Sequence, residues 1–231
     1  MEPPSAFIAD RVHDEKAKVL RSVRQYRPEV IDESVVIGQY AAGKFGGTEV
    51  PGYRQEEGVD ARSVTPTYAA MRLFIDNWRW QDVPFYLRSG KRLASRKTEI
   101  SVHFKHVPHS MFPDTVSGPI EPNSLVLRIQ PDEGIRLRFN AKRPGPAMAL
   151  ESVAMEFKYK DYFKQAPAVG YETLIYDCLI GDATLFQRAD QVEAAWALVE
   201  PVLEGWANTT PRHFPNYAAG SEGPSAANDL L

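Results

Sequence analysis

Cysteine is almost absent: Cys178 is the one thiol among 231 residues. A disulfide within the chain is therefore impossible, and a cysteine-built metal centre is excluded with it. The thiol lies in the apolar run Leu174–Ile180, where it is expected as a small core hydrophobe and not as a nucleophile. Such usage fits a reducing compartment, and a cytoplasmic location is expected. No apolar run approaches the roughly 20 residues that a membrane-spanning helix needs. Met1-Glu2-Pro3-Pro4-Ser5 lacks the basic start and apolar stretch of a secretory leader. Charge of one sign is not in excess, since 27 basic and 30 acidic residues leave a net charge of −3. That argues against a general binder of nucleic acid or anionic membrane. Any phosphate recognition must come from local clustering.

Several catalytic signatures are missing too. Neither G-x-G-x-x-G nor G-x-x-x-x-G-K-[ST] occurs, so no Gly-rich loop cradles a nucleotide. There is no G-x-S-x-G elbow. Asp177 and Glu156 stand as lone carboxylates without a second acid beside them, so structural roles are expected. His103, His106 and His109 cluster, but cysteine or carboxylate ligands at matching spacing are absent; ordinary strand and loop histidines are expected, and no metal.

What is present is an ordinary globular composition, 43% hydrophobic and 25% charged, long enough for one good core or at most two small ones. Residues 11–27 read as a charged amphipathic helix with Asp14 and Glu15 early and Arg21 and Arg24 late. Residues 34–40 read as a strand and 41–63 as a long surface loop. Thr65 with Pro66 in its first turn predicts a second helix, with Ala70, Leu73, Phe74 and Trp78 at helical spacing. Strands follow at 84–88, 98–104, 124–130, 134–140 and 152–158, joined by short turns that imply antiparallel pairing. The last third turns helical: 171–180, then a helix capped by Asp190 with Glu193 as capping-box partner and ended or kinked at Pro201. Residues 207–224 read as coil.

Val83-Pro84-Phe85-Tyr86-Leu87-Arg88-Ser89-Gly90-Lys91-Arg92-Leu93-Ala94-Ser95-Arg96-Lys97 is the most informative stretch. An apolar strand breaks at Ser89-Gly90, and five cations border the break within ten residues. Glycine lets the backbone turn and approach a ligand closely. Lysine brings a point charge and arginine a planar fork, the two donor types suited to a phosphate dianion. Basic clusters after strands are more often solvated loops, and composition alone does not separate the two readings.

The run Asn77–Leu93 resembles the C-terminal domain of the glucose-6-phosphate dehydrogenase family. Further matches stand in order: Asp14–Leu20, Gly38-Gln39-Tyr40, Thr65–Ala70, Leu125–Gly134, Gly181–Phe186, Tyr217–Ser221 and Gly223-Pro224. The resemblance implies an α+β fold, a large, mainly antiparallel (mixed) sheet with helices packed on one face, over a single domain 11–231 behind a flexible start, 1–10. It implies that Lys91 and Arg96 bind the 6-phosphate of glucose 6-phosphate. In some members the positions of Arg88, Lys97, Arg128 and Gln130 hold a second, structural NADP; Ser101 stands where those members carry an arginine. The family's dinucleotide fingerprint and its His-Tyr-Leu-Gly-Lys motif are absent here. Catalytic residues, and most of the NADP contacts, are therefore expected in an N-terminal Rossmann domain that would be this chain's partner, together with a second copy in a homodimer or homotetramer. The parent activity implied is NADP-dependent oxidation of glucose 6-phosphate to 6-phosphogluconolactone. This chain would be a C-terminal half, inactive alone. The rival reading is a non-catalytic assembly or regulatory module that keeps only the dimer-forming sheet.

Overall fold

A computed structural model describes residues 1–109, 120–163, 170–207 and 213–231. The chain divides into two compact units, Met1–Ser95 with Ala168–Leu231, and Arg96–Pro167.

The first unit opens with helix α1, Ala9–Arg21, which carries Asp10 in its first turn and Lys18 and Arg21 in its last, as the helix dipole favours. It stops six residues earlier than the expected 27. Ser22 caps it, and the chain then bridges Val23 to Ile75, with Arg24 N–H on Phe74 O at 2.9 Å. A short helix α2, Ile31–Ser34, leads into strand β1, Val35–Gly38. The strand pairs with β5, Tyr68–Phe74, and β5 pairs with β6, Pro84–Gly90, in an antiparallel sheet of order β1-β5-β6.

The helix expected from Thr65 is therefore a strand. Tyr68 and Ala70 point into one cluster with Tyr40, Tyr217, Ala219, Ala227 and Leu230. Met71 points to the opposite cluster, with Ile31, Val35, Ile37 and Val202. A central strand covered on both sides loses the polar half of its two-residue alternation. The surviving apolar spacing then mimics a helix.

The expected loop 41–63 is only partly loop. It holds β2 (Tyr40–Ala41), β3 (Gly43–Phe45), β4 (Thr48–Val50) and a 3-10 turn at Tyr53–Gln55. Strand β2 pairs in parallel with a C-terminal strand, Tyr217–Ala218, which makes the sheet content mixed.

The second unit is a four-stranded antiparallel sheet of order β10-β9-β8-β7. Its strands are β7 (Thr98–His103), β8 (Ser124–Gln130), β9 (Gly134–Lys142) and β10 (Leu150–Lys158). The register sets Ile100 beside Leu127, Leu127 beside Ile135, and Ile135 beside Phe157. Val102, Leu125, Leu137 and Met155 form the next row on the same face. That face is apolar yet open within its unit, with Ile100 54% and Met155 63% exposed. A single turn of helix, α3 (Tyr159–Tyr162), closes β10 with an aromatic cluster in which Phe157 lies 5.0 Å from Tyr159 and from Tyr162.

Two helices complete the first unit. Helix α4, Gly170–Ile180, leaves Tyr171, Ile175 and Leu179 exposed, and Cys178 is exposed with them. The core position expected for that thiol is thus overturned: an apolar run is a core only where another element covers it. Helix α5, Ala189–Ala207, lays Val202 on β1 and runs through Pro201, so that of the expected end or kink there the end is excluded. Its cap also differs. Gln191 Oε1 accepts Arg188 N–H at 3.2 Å, while Asp190 binds the Arg188 guanidinium at 2.7 Å. Glutamine three residues past Arg188 takes the capping-box place assigned to Glu193. Residues 213–216 and 219–224 are coil as expected, and the stretch 208–212 of that reading lies outside the described residues. The architecture is α+β with antiparallel sheets predominating, its strands divided among separate sheets.

Candidate functional site

Strand β6 ends at Gly90, directly opposite Tyr68. A Cβ on Gly90 would lie 2.6 Å from the Tyr68 ring, so glycine is what lets the strand end close down on that ring. The next four residues form a turn held almost entirely through its backbone. Lys91 N–H donates to Thr67 O at 2.8 Å, and Lys91 O accepts the Tyr217 hydroxyl at 2.9 Å. Arg92 O accepts Gly220 N–H at 2.7 Å, and Ala94 N–H donates to Ser221 O at 2.9 Å. Leu93 packs into the cluster of Tyr40, Tyr68 and Tyr217.

The side chains of the turn have different fates. Arg92 sits at a φ of 54° and turns inward, donating to Glu56 at 3.0 Å. Tyr40 donates to the same carboxylate at 3.0 Å. These two donors, Arg92 first, hold the Glu56 carboxyl below its ordinary range. Burial raises the Tyr40 and Tyr217 phenols above theirs. Arg88 reaches across the sheet face to Ala227 O at 2.6 Å and Asn228 Oδ1 at 3.1 Å, tying down the C-terminal 3-10 turn. The Lys91 side chain is exposed and, among the described residues, has no ion pair or side-chain hydrogen bond. It is a free ammonium on an immobilised backbone, the arrangement that pre-organises a binding group.

The other anticipated positions belong to the second unit. Arg96 opens that unit, exposed and likewise without a partner among the described residues. Lys97 pairs with Glu99 at 2.9 Å and Arg128 with Glu156 at 2.7 Å. Gln130 closes β8 opposite Thr98. Glu156 also meets Lys158 at 3.3 Å, and these two cations hold its carboxyl low, Lys158 first. That carboxylate is an ion-pair acceptor and not a general base. His103 lies 3.0 Å from Ser101 Oγ, and among the described residues no group of His, Cys, Asp or Glu is arranged to hold a metal. Sequence reasoning gave no role to Glu56, Thr67 or Tyr217. Their part depends on contacts across up to 150 positions of chain, which no local motif displays.

The family profile of the glucose-6-phosphate dehydrogenase C-terminal domain matches residues 1–231. Glucose-6-phosphate 1-dehydrogenase of Chlamydia pneumoniae is 46% identical over the whole chain, which covers 45% of that relative. The Bacillus subtilis enzyme is 41% identical, with 47% of it covered. A solved glucose-6-phosphate dehydrogenase in complex with its substrate glucose-6-phosphate superposes with a TM-score of 0.85 at 34% identity, over 100% of this chain and 46% of that one. The Mycobacterium avium glucose-6-phosphate 1-dehydrogenase gives 0.79 at 36%, over 100% and 45%. The chain thus spans about half the length of the curated relatives it matches.

Proposed function

Because this chain belongs to the glucose-6-phosphate dehydrogenase C-terminal domain family, we propose that it is the substrate-phosphate grip and assembly half of a glucose-6-phosphate 1-dehydrogenase. The reaction oxidises glucose 6-phosphate at C1 to 6-phosphogluconolactone, and bound NADP supplies the hydride acceptor. This chain has neither G-x-G-x-x-G nor His-Tyr-Leu-Gly-Lys, and in this reading a Rossmann domain acting as its partner supplies the coenzyme site and the catalytic base. By itself the chain turns nothing over.

The supporting observation is Lys91: an ammonium without a partner among the described residues, on a turn whose N–H and C=O are both fixed. A phosphate dianion meets a donor that needs no reorganisation. Arg96, from the same basic run, is proposed as the second cation. Lys91→Ala is expected to weaken glucose 6-phosphate binding about tenfold or more, the scale of one lost charge-assisted hydrogen bond, and Arg96→Ala to weaken it less. NMR titration with glucose 6-phosphate, and with glucose as the control lacking phosphate, measures both. Unchanged affinity in both variants would hand the function to assembly alone.

Arg88, Lys97 and Arg128 already hold acceptors of this chain. A second, structural NADP at Arg88, Lys97, Arg128 and Gln130 would have to share or displace those bonds, and the proposal rests on Lys91 and Arg96 instead. An assembly role has its own support in the open apolar face of the four-stranded sheet, the kind of surface that self-association covers. A homodimer or homotetramer is proposed on that basis, and a cytoplasmic location on the near absence of cysteine.

A further inference from the structure

We propose that Tyr217 is a positioning residue for phosphate binding: its hydroxyl, through the Lys91 carbonyl, fixes the turn that presents the Lys91 ammonium. The inference rests on the phosphate-grip reading above and adds to it the group that sets the grip's geometry.

The direction of the hydrogen bonds makes the case. Thr67 Oγ1 accepts Tyr40 N–H at 3.1 Å. Its own proton is then free for the Tyr217 oxygen, 3.0 Å away. Tyr217 keeps its single proton for a carbonyl. Two are within reach, Lys91 O at 2.9 Å and Thr67 O at 3.2 Å, and the nearer is Lys91 O. Tyr217 is 6% exposed, and burial holds its phenol above the ordinary value, so the donor stays protonated. Its ring is fixed against Tyr68 at 5.6 Å and Tyr40 at 6.3 Å between centroids, so the hydroxyl has little freedom to leave.

Lys91 needs such a tie because its neighbour Arg92 occupies the left-handed region, at a φ of 54°. A residue with a Cβ leaves that region unless its surroundings hold it. The peptide between Lys91 and Arg92 carries that rotation. Tyr217 grips the carbonyl of that peptide, and Gly220 N–H grips the next one. Release of the first bond removes the tie on the carbonyl side of Lys91, so that its Cα, and the side chain it carries, is held from the amide side alone. The amide of Lys91 remains on Thr67 O, so the turn loosens without unfolding.

Tyr217→Phe tests this, since it deletes the hydroxyl and keeps the ring contacts. In NMR titrations of the full chain with glucose 6-phosphate, the substitution is expected to weaken binding about three- to tenfold, the scale of one buried hydrogen bond. In a Lys91→Ala background it is expected to cost nothing further, because the two residues act as one unit. A purely structural role would lower the melting temperature and leave the affinity of the folded protein unmoved. If Lys91→Ala weakens binding and Tyr217→Phe does not, the positioning role is overturned while the phosphate grip stands. An equal loss from Tyr217→Phe with and without Lys91 also overturns it. If Lys91→Ala has no effect, the phosphate grip itself fails.

Discussion

At Lys91 and Arg92, two adjacent cations are put to opposite uses by their surroundings. Arg92 is drawn inward to Glu56 and Tyr40, while Lys91 is left outside on the same peptide. Composition showed both as basic residues after a strand, and only the contacts separate them. The Glu56 carboxylate also gives the turn a pH dependence. Its folded-state pKa lies below the ordinary carboxylate value. The stability it contributes is therefore complete above that ordinary value, about 4.3, and is lost as pH falls through the lower folded value. Glu56→Gln should flatten the acid limb of a stability-versus-pH curve measured by urea unfolding. An acid limb identical to that of the unsubstituted protein would remove Glu56 from the account.

Among elements, the sequence was most legible in the antiparallel sheet of the second unit, where one face of each strand is mainly apolar and the other mainly polar. Strands β7 and β9 alternate cleanly, and each of β7 to β10 was found within two residues of its expected span. Strand β5 was not legible, because Tyr68, Ala70 and Met71 are used on two covered faces. Helix α4 misled in the other sense: its apolar run is there, but Cys178 and Leu179 face outward. The segment Tyr217–Ser221 matched the family pattern, yet its bracing of the basic turn appears only in three dimensions. Gly220 is its critical residue. It sits at a φ of 84°, and a Cβ there would run into the Lys44 carbonyl. Gly220→Ala should destabilise the protein by about 1–3 kcal/mol, as strained left-handed residues do. It should also weaken glucose 6-phosphate binding, since Gly220 N–H holds Arg92 O. Urea unfolding beside the phosphate titration measures the pair, and a neutral result in both would contradict the bracing.

For the whole molecule, the proposed function is a grip and a scaffold that work with a Rossmann partner. The proposed scaffold role falls to the second unit, whose sheet leaves Ile100, Ile135 and Met155 open. Charge placed on that face should oppose association. Met155→Glu is expected to shift sedimentation toward the monomer, and an unchanged oligomer distribution would place the interface elsewhere. The grip is the central claim, and its most direct test is kinetic. NADP-linked oxidation of glucose 6-phosphate and of glucose would be followed with this chain joined to a family Rossmann domain, carrying Lys91 or alanine. The account predicts that alanine raises KM for glucose 6-phosphate about tenfold or more and leaves glucose oxidation as it was. An unchanged KM for glucose 6-phosphate, or an equal loss on both sugars, would contradict it.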